Sequence, residues 1–177
     1  MTADLPVLGI VGRSGSGKTT LITALIRRLG ERGLRISTIK HTHHGVDLDR
    51  PGKDSWLHRE AGAHEVLLAG DARWALLHEQ RQAPAAGLGS LLARLEPVDL
   101  VLVEGFGRYP YPRLEVQRAS VASLPGKQPL WPQDPAIEAV AGDRRIEDCD
   151  RIWLPLDDTR MICDWIATRF GLFDHSA

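Results

Sequence analysis

One eight-residue run constrains this chain more than any other. Gly12-Arg13-Ser14-Gly15-Ser16-Gly17-Lys18-Thr19 fits G-x-x-x-x-G-K-[ST] without a mismatch. Leu8 to Val11 before it is a short apolar run suited to a central parallel strand. From Lys18 onward Leu21, Ile22, Leu25, Ile26 and Leu29 recur at helical spacing, with Gly33 placed as the residue after the helix. A glycine loop between strand and helix turns its N–H groups and the positive helix end toward one point, which is a phosphate site. Lys18 adds a mobile charge for the β and γ phosphates, and the Thr19 hydroxyl is a ligand for Mg²⁺. The set Gly12, Ser14, Gly15, Ser16, Gly17, Lys18, Thr19 and Thr20 is therefore the expected nucleotide-binding loop.

The rest of the chain alternates strand-like and helix-like segments. Arg35 to Lys40 reads as a second strand, so the opening is a βαβ unit and predicts a parallel pair. Asp54 to Ala63 reads as a short helix. Glu65 to Ala69 and Arg73 to Leu77 flank Gly70-Asp71 as a hairpin. Leu88 to Leu95 is a helix, and Asp99 to Val103 and Leu114 to Gln117 are strands. Leu124 to Pro135 is a proline-rich connection. Ile137 to Ala141 and Ile152 to Leu154 are the last strands, and Asp158 to Phe170 the last helix. The fold class is α/β: a P-loop nucleotide-binding domain spanning 1–177, with a mostly parallel sheet flanked by helices and a β-hairpin insertion.

A P-loop needs an acid at the carboxyl ends of its neighbouring strands. Asp99 and Glu104 are five residues apart, roughly 16 Å if extended, so one alone reaches that rim. Glu104 stands at the carboxyl end and is assigned the Mg²⁺ shell or the attacking water. Asp99 falls on the opposite rim. Gly105 and Gly107 leave the following loop free to shift as a switch segment does. Lys40-His41-Thr42-His43-His44 closes the second strand on the same rim as the phosphate loop. The three histidines read either as a metal site or as a polar loop beside phosphate and Mg²⁺. Asp47 and Asp49 are within reach of the Mg²⁺ waters or belong to a solvated acidic loop. Of only four lysines, Lys18, Lys40 and Lys53 fall around the proposed site.

Composition removes several classes. Lys plus Arg number 22 against 23 Asp plus Glu, so the basic excess of a nucleic-acid-coating protein is missing. No apolar run approaches a membrane span and no signal peptide is visible, so a cytoplasmic location is expected. Cys149 and Cys163 form no C-x-x-C pair and are expected to be two buried thiols.

The P-loop, Ile39-Lys40-His41-Thr42-His43-His44, the block from Pro51 to Ala63 (Pro51-Gly52-Lys53-Asp54-Ser55-Trp56-Leu57-His58-Arg59-Glu60-Ala61-Gly62-Ala63) and Leu102-Val103-Glu104-Gly105-Phe106 together resemble the MobB family of molybdopterin-guanine dinucleotide biosynthesis adapters. The resemblance runs in order from about residue 5 to about residue 160. It implies a GTP-binding homodimer with slow GTPase activity. Such a protein assists the MobA-like guanylyltransferase that attaches GMP to molybdopterin, with molybdopterin-loaded proteins as further partners. It implies phosphate and Mg²⁺ binding by Gly15, Gly17, Lys18 and Thr19, and places Asp49 and Glu104 close to the metal or γ-phosphate. It also makes Pro51–Ala63 a functional surface and matches Arg113-Leu114-Glu115-Val116 to a strand near the nucleotide.

The chain has no asparagine, so the N-K-x-D guanine reader is impossible here. Asp143, after the strand ending at Ala141, is read as the acceptor for the guanine N1 and N2 donors or as a plain turn aspartate, with Asp157-Asp158 as runner-up and Asp158 read equally as an N-cap. Gly107 separates Glu104-Gly105-Phe106 from Arg108, a departure from the family pattern. Hydrolysis should be slow, because neither a general base nor an arginine in cis is assignable, and Arg13 could act only across a dimer. A small-molecule kinase and a metallochaperone GTPase using His41, His43 and His44 are the alternatives on the same loop.

Overall fold

Why the sheet forms where it does follows from six strand segments of four to six residues, each too short for a core helix. In the computed structural model, which describes residues 5–42, 46, 48–107 and 109–172, the elements run β1 (Val7–Val11), α1 (Lys18–Glu31), β2 (Ile36–Lys40), α2 (Asp54–Glu60), β3 (Glu65–Ala69), β4 (Trp74–His78), α3 (Leu88–Leu92), β5 (Leu100–Glu104), β6 (Arg113–Gln117), α4 (Ala119–Ala122), β7 (Ile137–Gly142), β8 (Ile152–Pro155) and α5 (Thr159–Phe170). Six strands form one sheet in the order β2-β5-β1-β6-β7-β8. Every pairing in it is parallel. The chain makes two compact units, one of residues 1–41 with 92–177 and one of residues 42–91.

In the first unit the apolar side chains alternate along each strand, as the pleat requires. Leu8, Ile10, Leu100, Leu102, Leu114 and Val116 join Leu21, Leu25 and Leu29 of α1 and Ile162, Cys163 and Ile166 of α5 in one core. The helices are amphipathic because those residues sit three and four apart. Gly33 ends α1 with φ +86°, and Leu34 N–H donates to the Leu29 carbonyl at 3.2 Å, a left-handed stop that a β-carbon would strain.

One expectation is corrected here, and one element is new. β1 and β2 are parallel but not neighbours, because β5 lies between them and pairs with both. Helix α4 falls in residues 118–123, to which the sequence reading gives no element; at four residues it is too short to show a helical period. The other elements agree with the sequence reading to within a few residues at their ends.

In the second unit β3 and β4 pair antiparallel, with Ala69 opposite Trp74 across the Gly70-Asp71 turn. Gly70 N–H donates to the Arg73 carbonyl at 3.0 Å. The hairpin exposes Leu67, Leu68, Trp74 and Leu76.

Candidate functional site

The phosphate loop leaves β1 at Gly12. Gly12, Gly15 and Gly17 have φ of +143°, +84° and +98°, a run of left-handed backbone that side chains would oppose. A Cβ on Gly12 would stand 2.4 Å from the Val116 carbonyl oxygen, so the loop also needs glycine there to fit against β6. Among the described residues, the N–H groups of Gly15, Gly17, Lys18, Thr19 and Thr20 have no protein acceptor. Gly17 caps α1 without a side-chain bond. The Lys18 ammonium folds back onto the carbonyls of Gly12 and Arg13 at 2.9 and 3.2 Å. Ser16 is buried and its Oγ has no partner. Free N–H groups, a helix end and a lysine held by its own loop make a donor set that fits an oligophosphate.

Beside this loop, Glu104 ends β5 on the row shared with Ile10 of β1 and Lys40 of β2. Its carboxylate pairs with the Lys40 ammonium at 3.5 Å. Lys40 is largely exposed while Glu104 is mostly covered, so the pair is a weak surface ion pair that an arriving cation can replace. His41 N–H donates to the Glu104 carbonyl at 2.8 Å, and its ring packs on Phe106 at 4.8 Å. Phe106 itself has φ +55°, held in the left-handed region as its carbonyl accepts from the Tyr111 hydroxyl at 2.7 Å. Asp99 lies before β5 on the other rim, accepting from the Arg35 N–H at 2.6 Å.

Farther along the same rim, Asp143 and Asp157 line one cleft of about 180 Å³ together with Arg118 and Leu156. The structure thus brings the two sequence-predicted base readers together. Asp158 is the N-cap of α5, its carboxylate accepting from Met161 N–H at 2.9 Å, so Asp157 is the runner-up that remains. One Asp143 oxygen accepts from the Ala119 N–H at 2.8 Å, which aims the carboxylate. Arg118 is a residue that sequence reasoning missed. It follows β6, its guanidinium lies against Gly17, and among the described residues it makes no ion pair. Its only sequence signal was its place just after the strand that packs on the phosphate loop.

This arrangement has relatives. Residues 7–143 match the family model of MobB, molybdopterin guanine dinucleotide synthesis protein B. The chain belongs to the MobB family. A molybdopterin-guanine dinucleotide biosynthesis adapter protein of Haemophilus influenzae is 40% identical over 166 residues, covering 94% of this chain and 90% of the relative. The Escherichia coli adapter is 36% identical over 165 residues, covering 92% of each. Among solved structures, a molybdopterin-guanine biosynthesis protein B superposes with a TM-score of 0.70 at 29% identity over 92% of this chain and 99% of that one. MobB of Bacillus subtilis gives 0.71 at 26% identity, over 94% and 98%.

Several residues that the MobB resemblance singled out have local partners. Arg113 is buried, pairs with Asp134 and donates to the Tyr109 carbonyl at 2.7 Å. Glu115 is buried and accepts from the N–H groups of Leu130 and Trp131, both at 2.8 Å. These two side chains tether the proline-rich connection to the sheet. In the second unit, Asp49 accepts from Ser55 Oγ at 2.6 Å and from Arg59 Nε at 3.0 Å, and Arg59 reaches Glu79 at 2.8 Å. Ser55 and Arg59 come from the Pro51–Ala63 block, so part of that block holds Asp49 in place. His43, His44, Asp47 and Arg108 lie outside the described residues. Both cysteines are free thiols; Cys163 is buried, but Cys149 is half-exposed, contrary to expectation. Among the described residues no helix is long and apolar enough to cross a membrane.

Proposed function

We propose that this MobB-family protein binds GTP with Mg²⁺ and acts as a cytoplasmic adapter in molybdopterin guanine dinucleotide synthesis, presenting the nucleotide to a MobA-like guanylyltransferase. The observation that carries the reading is one rim holding both a donor-rich phosphate loop and, at Asp143 and Asp157, a carboxylate-lined cleft. Guanine offers two N–H donors on one edge, at N1 and N2, and a carboxylate accepts both; adenine has no such pair.

In this reading Lys18 leaves the Gly12 and Arg13 carbonyls for the β and γ phosphates, and the loop N–H groups take the phosphate oxygens. Thr19 and Glu104 supply hard oxygen atoms for Mg²⁺, whose bound charge offsets that of the phosphates. Asp49 keeps its Arg59 partner, which it must surrender before it can serve a metal. Arg118 covers the stretch between loop and base cleft. No carboxylate is freed by this set to act as a strong base, so turnover is slow and the functional quantity is the affinity of the loaded form for its partner. A homodimer completes the proposal: Leu67, Leu68, Trp74 and Leu76 present an apolar hairpin surface of the kind that marks protein contacts.

Equilibrium binding of GTP and ATP, each with Mg²⁺, to wild type and Lys18→Ala tests this. The expected result is at least tenfold preference for GTP, lost in the variant. Equal ATP binding removes the guanine argument and brings forward a kinase. Unchanged GTP affinity in Lys18→Ala removes the phosphate-loop reading itself.

A further inference from the structure

The base cleft has a neighbour. A cleft of about 380 Å³ shares Asp143 with it and is otherwise walled by Gln117, Arg144 and Arg145 over an apolar floor that includes Ala119 and Pro129. It opens at the carboxyl ends of β6 and β7, where parallel sheets place their ligands. Its volume is that of a small-molecule site.

Gln117 is 7% exposed, and its amide nitrogen is fully buried without a hydrogen-bond partner. That nitrogen is shut off from the cleft as the side chain stands, so the donors open to a ligand there are the two arginines. Arg144 and Arg145, in the turn after β7, are exposed and form no ion pair among the described residues. The one carboxylate on the wall, Asp143, is already engaged through one oxygen by the Ala119 N–H. Two guanidinium forks are donors only, and a phosphate offers the matching lone pairs, bidentate to arginine. The apolar floor gives the organic part of such a ligand a surface that free phosphate leaves uncovered.

We propose that this cleft binds a phosphate monoester, with its phosphate on Arg144 and Arg145 and its organic part on the floor. The site is distinct from the phosphate loop, and Asp143 is the one residue it shares with the base cleft.

The test titrates inorganic phosphate and phenyl phosphate into full-length Lys18→Ala protein, read by backbone and side-chain amide NMR. A parallel titration uses wild type saturated with GDP and Mg²⁺, in case the variant folds poorly. Saturable shifts are expected at residues 143–146, with phenyl phosphate binding at least tenfold more tightly than inorganic phosphate. Arg144→Ala/Arg145→Ala should weaken phenyl phosphate at least tenfold. Equal binding of the two probes overturns the monoester assignment in favour of free phosphate. Shifts confined to residues 12–20, or an affinity indifferent to both arginines, overturn the site.

Discussion

Arg118 lies directly against Gly17: its Nε and one terminal guanidinium nitrogen come within 3.2 and 3.3 Å of the point a Cβ on Gly17 would occupy. The contact joins the strand-end after β6 to the first turn of α1, where the field is already positive from the helix end and Lys18. A cation kept there without an acid partner is stabilised by an arriving phosphate. Arg118→Ala is expected to weaken GTP and GDP binding about tenfold or more, the worth of one charge-assisted hydrogen bond, with little change in melting temperature. Arg118→Lys should recover part of the loss, since it keeps the charge but not the fork. Fluorescence titration of both variants checks this; an unaltered affinity in Arg118→Ala excludes the contact with nucleotide.

Gly17 itself should tolerate nothing larger. Its φ of +98° costs an L-residue about 1–2 kcal/mol, and the new methyl would push Arg118 aside. Gly17→Ala is expected to lose nucleotide binding and to lower the denaturation midpoint, measured by urea titration.

The carboxylate of Asp143 is expected to read the base. Asn at that position presents an amide N–H₂ in place of one oxygen, which suits the C2 carbonyl of xanthine and not the amino group of guanine. Asp143→Asn should lose most GTP affinity and gain affinity for XTP. Competition binding decides, and an unchanged GTP-to-XTP ratio would move the role to Asp157.

Glu115 is a structural carboxylate. Removing it strands the Leu130 and Trp131 N–H groups beneath the connection, and a hydrogen bond to a charged group contributes about 1.5–3 kcal/mol. Glu115→Ala is expected to lose about that much stability by urea unfolding.

The thiols should separate by reactivity. Burial pushes the Cys163 thiol above its ordinary range, against a smaller opposing pull from Arg32 and Arg28. Less thiolate and less access both slow its chemistry. A disulfide reagent at neutral pH should modify one thiol, Cys149, and reach Cys163 only on unfolding. The sign for stability follows from linkage: the folded state holds the Cys163 proton at a pH where the unfolded chain has released it. That contribution is fully present below the ordinary thiol range and is lost as pH rises through the raised folded value. Urea midpoints measured from neutral to alkaline pH should fall, and less steeply in Cys163→Ala, after allowing for its lower baseline.

The phosphate loop was legible in the sequence because its constraints are local: left-handed glycines, a following helix and a lysine one turn in need no distant residue to define them. The place of Glu104 at the carboxyl end of its strand was legible because strand direction is read directly from the chain. The hairpin and the missing N-K-x-D motif were equally local facts. Tertiary structure decided what depends on neighbours far apart in sequence. It inserted β5 between β1 and β2, since strand order is set by which apolar faces pack on α1 and α5. It gave Asp49 to Arg59 and Glu115 to the backbone of a loop, partners that no spacing rule links. It also carried Arg118 to Gly17, a contact across about a hundred residues that exists only because β6 lies beside β1 in the sheet.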